Sequence, residues 1–370
     1  MKGRPIIVVG AGLSGATIAR KYAENNKDVI VVDKRDHIGG NTYDFINEHG
    51  ILMAKYGAHI YHDSDDETWE FVSRFTDWLP YQHCVKSYVN DILVPIPVNI
   101  DTYNMILNKK FESGDDLKKW VEKQHPNILS PKNSEESALK RIGSPEIYEK
   151  MFKNYTKKQW DKYPEELDAT VMERIPVRYD KNERYFNDKY EGIPRKGYTV
   201  MVKNMLDHKN IRVILGRDYH KTDLPSPDLL FYTGKIDTYF NEKFGKLEYR
   251  SIEFEHETYD REDYQEFPVI NYPEEKYPFT RIIEHKKIYN QKVPKTTVTR
   301  EFSIAGGEPY YPVPNEKNRN LYEKYKKESK RLESEGIYFV GRLASYKYYN
   351  MNQAIKASLD LFYKLNPDLK

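Results

Sequence analysis

Six residues near the start of the chain, Gly10-Ala11-Gly12-Leu13-Ser14-Gly15, have the types and spacing to hold a pyrophosphate. Gly10 permits a tight turn, Gly12 lets a phosphate come close to the main chain, and Gly15 allows a helix to pack closely on a strand. Leu13 and Ser14 open that helix, whose first amides and partial positive charge suit an anion. Asp33 follows roughly twenty residues after the turn, where an acid meets a ribose hydroxyl. A second glycine pair, Gly39-Gly40, lies between Lys34 and Asn41 and marks another point of close main-chain approach. Other reactive patterns are sparse. His59 and His62 are three apart, but no cysteine or further histidine falls at a zinc spacing, so no metal site is expected. Neither a GxSxG elbow nor a P-loop lysine occurs. Cys84 is alone, which rules out a disulfide and suits a small core or pocket-lining residue.

The elements around these residues support the same reading. Pro5 to Val9 is a continuous apolar run, Ala16 to Asn25 is helical in character, and Asp28 to Asp33 reads as a second β-branched strand. Strand, glycine turn, helix and strand open a doubly wound α/β domain that binds a dinucleotide. The turn itself does not separate NAD from FAD. A glycine pair straight after the second strand is common in flavoproteins, and points to FAD. Residues 66–78 are expected to form an amphipathic helix, and Val85 to Pro97 a strand-like segment. Helical periodicity runs from Asp101 to about Glu173. Tyr198 to Leu206 reads as a helix, IRVILG as a strand, and Leu229 to Tyr232 as a strand returning to the first sheet. Residues 247–302 alternate, as an antiparallel sheet does. Asn318 to Glu335 is a charged helix, Gly336 to Arg342 a late strand, and Asn352 to Leu365 a final helix. The expected fold is thus α/β: an FAD-binding Rossmann-like domain with a helical insertion and an antiparallel β-sheet domain. The expected boundaries are 1–80, 195–240 and 318–370 for the first, 100–173 for the helical domain, and 81–99, 174–194 and 241–317 for the sheet domain.

Composition limits the alternatives. The chain has 370 residues, of which 39% are hydrophobic and 31% charged, enough for a packed interior under a polar surface. The net charge of +2 gives no electrostatic case for nucleic acid, and none is expected as a partner. No stretch approaches the length of a membrane span, and the N-terminal apolar run is too short for a signal peptide. A cytoplasmic location is the expectation. Tyrosine, at 32 copies, suits a pocket for a sugar or nucleotide as well as ordinary packing.

Longer blocks now carry a family resemblance. DKRDHIGGNTYD, KYGAHIYH, YTKKQW, RIPVR, YFNDKYEGIP, FTRIIEHK, GEPYYPV and GRLASYKYYNMNQA occur in this order and span nearly the whole chain. Together they closely resemble the bacterial UDP-galactopyranose mutases. The resemblance implies a homodimeric flavoenzyme, an isomerase of galactofuranose biosynthesis, that is active with reduced FAD and needs an electron donor. It implies a redox-neutral interconversion of UDP-galactopyranose and UDP-galactofuranose through a flavin N(5)–sugar adduct. Arg174 and Arg281 match the two arginines that bind the diphosphate, and Trp160 the residue that stacks on uracil. Tyr155, Thr156, Tyr185, Tyr311 and Tyr348 match pocket residues that bond phosphate oxygens, and Asn271 another pocket position. His59 matches a histidine placed against the flavin, Arg342 a flavin-contacting arginine, and Met351 the start of a helix aimed at the flavin.

The chain also departs from the family's pattern. Asn350 stands where Asp is common, Asn352 where His is common, and His83-Cys84 where Asn-Ser is common. His83 falls near the sugar, so UDP-N-acetylgalactosamine is an alternative substrate. A redox-active flavin amine oxidase shares the N-terminal motifs and is the rival enzyme reading, but gives no reason for paired arginines beside a uracil platform.

Overall fold

The apolar run Ile6–Val9 lies at the centre of a five-stranded parallel sheet in the computed structural model, which describes residues 3–125, 127–173 and 176–369. The strand order is Ile211–Ile214, Val29–Val32, Ile6–Val9, Leu230–Tyr232 and Ile337–Phe339. A central strand covered on both faces needs a continuous apolar run, and IIVV supplies it. Helix Leu13–Glu24 packs on this sheet with helices Tyr198–Leu206 and Met351–Leu365. Tyr22 of the first helix lies between Phe231 of the sheet and Phe362 of the last helix, with ring centroids 5.3 and 4.9 Å away. The expected α/β fold class is therefore observed.

Helix Tyr198–Leu206 is capped from a distance. Gly197 has φ +89°, and Asp44 accepts from the main-chain N–H of Tyr198 at 2.6 Å and of Thr199 at 2.9 Å. A Cβ on Gly197 would meet the Asp44 carboxylate at 2.6 Å, so glycine is needed there on two counts.

The second large sheet has seven strands, in the order Tyr311–Pro312, Tyr249–Tyr259, Thr296–Ala305, Arg281–Glu284, Val269–Asn271, Val85–Val89 and Ile92–Ile96. Five of its neighbouring pairs are antiparallel. Val269–Asn271 runs parallel to Val85–Val89, because these strands come from distant parts of the chain rather than from one hairpin. A smaller sheet pairs Tyr190–Pro194 with both Tyr61–Asp63 and Trp78–Pro80.

Two local expectations need correction. The helix expected over 66–78 spans Asp66–Ser73, and Trp78 begins a strand instead. Trp78 stacks on Trp69 at 4.5 Å across this reversal, so its apolar spacing came from tertiary packing and not from a continuing helical face. The segment Val85 to Pro97 is two strands, turned at Asn90 and Asp91 with φ of +49° and +63°. Both residue types tolerate the left-handed region that a two-residue hairpin turn demands.

The helical stretch is set by its caps. Asn99, Ser113, Asn133 and Ser144 each accept a main-chain N–H three residues on, opening helices Ile100–Leu107, Gly114–Glu122, Ser134–Ile142 and Pro145–Tyr148. A π-turn, Glu149–Lys153, then leads into helix Asn154–Trp160. Helix Asn154–Trp160 packs against strand Thr296–Ala305 of the sheet. Among the described residues no helix is long and apolar enough to cross a membrane.

Candidate functional site

The strand Ile6–Val9 ends at Gly10, whose φ of +107° favours glycine. A Cβ there would lie 2.0 Å from Thr233 Oγ1, and one on Gly15 would lie 1.9 Å from the Gly10 carbonyl oxygen. Gly15 thus serves helix-to-strand contact and lines neither of the two cavities described below. Gly12 faces the second glycine pair, and a Cβ on it would sit 3.6 Å from Gly40 Cα. Gly39 N–H donates to the Ala11 carbonyl at 2.9 Å, tying the two turns together. Gly10, Gly12, Leu13, Ser14, Asp33, Lys34, Gly39, Gly40 and Asn41 all line one cavity of about 340 Å³.

Asp33 does more than face this cavity. Its carboxylate accepts from Ala11 N–H at 2.7 Å and Arg35 N–H at 2.9 Å, so it also fixes the glycine turn. Lys34 lies 3.2 Å and Arg35 3.1 Å from Glu308, which reaches over from the sheet region. Tyr219, His220, Thr233 and Lys235 line the same cavity. Sequence reasoning missed them, although Thr233-Gly234 after a returning strand was a usable signal.

A larger cavity of about 860 Å³ adjoins it. Its walls come from helix Asn154–Trp160, the inner face of the seven-stranded sheet, the 185–188 loop and the start of the last helix. Tyr155, Trp160, Tyr185, Asn271, Arg281, Tyr311, Tyr348 and His83 all line it. Thr156 does not, because its short side chain is packed over and only 4% exposed. Arg174 lies outside the described residues. His59, Arg342, Asn350 and Met351 line both cavities.

Strand register places the charges. Asn271 pairs with Arg281, and Arg281 with Glu301, on adjacent strands. Arg281 Nε donates to Glu301 Oε2 at 2.5 Å, and Glu301 is 2% exposed. Burial opposes the Arg281 charge, but Glu301, with Tyr155 and Tyr311, holds the guanidinium well above its ordinary range. Glu301 Oε1 has no partner among the described residues. The alternation in TTVTREF put Glu301 on one face of its strand, but gave no sign of its partner.

The aromatic groups form a wall. Tyr311 and Tyr348 stack at 4.9 Å, and Trp160 lies 6.2 and 6.0 Å from them. Arg342 holds the turn before the last helix, donating through Nε to the Tyr349 carbonyl at 3.0 Å. Burial pushes the Tyr155 and Tyr311 hydroxyls above their usual value, so both remain protonated donors.

Two histidines stay neutral. Burial, then the nearby Arg342 cation, brings His59 down to about 4. Its Nδ1 lies 2.7 Å from the Gly57 carbonyl, which can only accept, so Nδ1 carries the proton and Nε2 the lone pair. His83, brought down to about 3 by burial and by Arg281, meets the Tyr81 hydroxyl at 3.1 Å through Nδ1. His62 stacks on Phe186 at 3.7 Å and bonds Asp188 at 2.9 Å. Among the described residues no group of three or more His, Cys, Asp or Glu could hold a metal ion.

Comparison with known proteins gives this geometry a family. The model of an NAD(P)-binding Rossmann-like domain matches residues 8–75, and that of UDP-galactopyranose mutase matches residues 150–348. A Klebsiella pneumoniae protein named "Probable UDP-galactopyranose mutase" is 38% identical over 97% of this chain and 94% of its own length. The chain belongs to the UDP-galactopyranose mutase family. It is therefore an enzyme of the isomerase class. An Escherichia coli relative named dTDP-fucopyranose mutase is 36% identical over 96% of each chain. The crystal structure of a reduced UDP-galactopyranose mutase covers 99% of this chain and 94% of its own, with a TM-score of 0.77 at 17% identity, a likeness of fold. The mutase model spans Tyr155, Trp160, Tyr185, Asn271, Arg281, Tyr311, Tyr348 and Arg342, while the glycine turns and His59 fall in the Rossmann-like match.

Proposed function

We propose that the chain interconverts the six-ring and five-ring forms of UDP-linked galactose, with reduced FAD and no net oxidation. The observation that most supports this is the junction at His59, Arg342, Asn350 and Met351, which line both the cavity of the glycine turns and the polar, aromatic one. The residues of the smaller cavity fit FAD. Side chains on Gly12 or Gly40 would fill the gap between the two turns, where a pyrophosphate needs to approach. Reduced FAD, when bound, would supply a nucleophilic nitrogen for the anomeric carbon of the sugar.

The chain's own residues do the rest. Arg281 binds the diphosphate and stabilises the charge that grows on it as the sugar bond breaks. A planar guanidinium offers paired contacts that lysine would not. Glu301 orients that guanidinium and keeps it charged. Arg174 is the second diphosphate ligand on the strength of the resemblance alone. Trp160 offers its face to uracil, and Tyr155, Tyr185, Tyr311 and Tyr348 donate to phosphate oxygens, with Asn271 beside them. The tyrosine wall and the 185–188 loop exclude water from the sugar. His59, neutral at pH 7, presents Nε2 as an acceptor at the junction. The N-terminus of helix Met351–Leu365 favours negative charge at the same place. The three-part domain division, a homodimer, a cytoplasmic location and an external electron donor belong to this proposal.

The E. coli relative's name makes a dTDP-linked sugar worth testing, and His83 makes UDP-N-acetylgalactosamine so. The test is incubation with each nucleotide sugar, with and without dithionite, followed by separation of the ring forms. Conversion of UDP-galactose in the reduced sample alone is expected. Conversion of another sugar in its place would reassign the substrate, and conversion of none would refute the reading.

A further inference from the structure

Helix Asn154–Trp160 carries two of the larger cavity's walls, Tyr155 and Trp160, and between them Lys158, which turns away from the cavity. The Lys158 ammonium donates to four main-chain carbonyls: Tyr272, Glu274 at 3.1 Å, Tyr277 at 3.0 Å and Phe279 at 3.0 Å. All four belong to one hairpin loop. That loop joins strand Val269–Asn271 to strand Arg281–Glu284, and its stem closes where Tyr272 N–H donates to the Thr280 carbonyl at 2.8 Å. Its two ends are Asn271 and Arg281, and both line the larger cavity.

Four carbonyl dipoles converging on one point repel each other unless a cation sits among them. An ammonium with three N–H donors meets that need, sharing one of its bonds. Burial lowers the Lys158 pKa to about 8, against the opposing effect of Glu274 and Glu275, so the cation is still held at neutral pH. The loop's own carboxylates do not take the ammonium as a salt-bridge partner. Glu274 accepts from Asn90 N–H at 2.7 Å and pairs with Lys276 at 2.7 Å. The neighbouring residue is held separately, the Gln159 carbonyl accepting from Arg250 Nε at 3.2 Å.

We infer that Lys158 is a positioning residue: its ammonium pins the hairpin that carries Asn271 and Arg281 to the helix that carries Tyr155 and Trp160, and so sets the distance between the base-binding and diphosphate-binding ends of the cavity. The inference rests on the substrate reading above. Lysine suits this place because a compact point charge on a long stem can enter a ring of carbonyls, whereas a planar guanidinium cannot match four of them.

Two variants test it. Lys158→Met keeps the stem and removes the donors, and Lys158→Ala leaves the ring open for a small amine. UDP binding to the flavin-loaded protein is measured by titration, with the visible flavin spectrum as a check on the cradle. Both variants are expected to keep a wild-type flavin spectrum and to bind UDP at least tenfold more weakly. Ethylammonium or propylammonium chloride is expected to restore at least half of that loss, on a logarithmic scale, to Lys158→Ala, and tetramethylammonium chloride, which has no N–H, to restore none. UDP affinity within twofold of wild type in both variants would overturn the inference. So would equal recovery with tetramethylammonium, or a loss matched by a changed flavin spectrum. Wild-type protein that binds no UDP would overturn the substrate reading first, and this inference with it.

Discussion

Replacing Arg281 with alanine should separate two effects that one guanidinium combines. Its partner Glu301 is 2% exposed, and Oε2 faces Arg281 at 2.5 Å while Oε1 has no partner among the described residues. Removing the guanidinium leaves a buried, unpaired carboxylate. Broken buried pairs cost about 3–5 kcal/mol, and the low end applies because the Arg281 side chain is itself 26% exposed. With about 2.1 cal/mol/K of unfolding entropy per residue, a loss of about 3 kcal/mol lowers the melting temperature of a 370-residue chain by about 4 °C. The effect on turnover has another origin, the missing charge on the departing diphosphate, and should reach about 10²–10³-fold. Glu301→Gln in the same chain removes the stranded charge. Arg281→Ala/Glu301→Gln should therefore regain most of the lost melting temperature and none of the lost turnover. Scanning calorimetry gives the first quantity and chromatographic separation of ring forms the second. If the double variant melts no higher than Arg281→Ala, the unpaired carboxylate is not the source of the instability. If Arg281→Ala keeps turnover within tenfold of wild type, the diphosphate argument fails.

Further outcomes are expected elsewhere. Gly12→Ala should fold, since its Cβ meets Gly40 Cα at only 3.6 Å, but purify with little flavin absorbance. Gly15→Ala, whose Cβ would meet a carbonyl oxygen at 1.9 Å, should instead lose stability, and a wild-type melting curve would contradict that. Trp160→Ala should weaken UDP binding by about 5–150-fold, from about 1–3 kcal/mol of lost stacking, as titration would reveal. Burial holds His83 and His285 at about 3 in the folded protein. The unfolded chain, with ordinary histidines near 6.5, takes up these protons first as pH falls. Stability is thus intact above about 6.5 and is lost below it until the native groups titrate, with about 2 kcal/mol lost per histidine by pH 5. Urea midpoints at pH 7 and pH 5 check the sign, and equal midpoints would count against it.

The sequence made legible much, though not all, of what rests on local geometry. The glycine turn had to follow an apolar strand and open a helix, and helix Tyr198–Leu206 was bounded correctly because Gly197 and Asp207 flank it. Asn90 and Asp91 are turn formers whose left-handed φ values were also readable, yet the apolar run on either side hid the reversal. What stayed hidden depends on segments far apart in the chain. No spacing rule could join Lys158 to the carbonyls of 272–279, or Asp44 to the start of a helix 154 residues on. Asp33 was placed by its position after the second strand, but its second task, holding Ala11 N–H, depends on how the turn folds back. Tyr155, Trp160 and Arg281, which share one cavity, were singled out only through family text, because each residue type is more often structural than chemical. Glu301 matched no such text, so a buried charge in a strand remained unread.

Strands Val29–Val32 and Ile211–Ile214 lie side by side, with residues 33–210 looped out between them. Closing so long an excursion is cheap to vary, since doubling a loop costs only about 0.6 kcal/mol. Much of the larger cavity is built from that excursion and from the next one, between Leu230–Tyr232 and Ile337–Phe339. The glycine turn at Gly10, by contrast, follows directly on a strand held on both sides in parallel register. Insertions in these two excursions can therefore reshape the larger cavity without disturbing the strands that carry the glycine turns, a route by which one scaffold can come to admit different ligands.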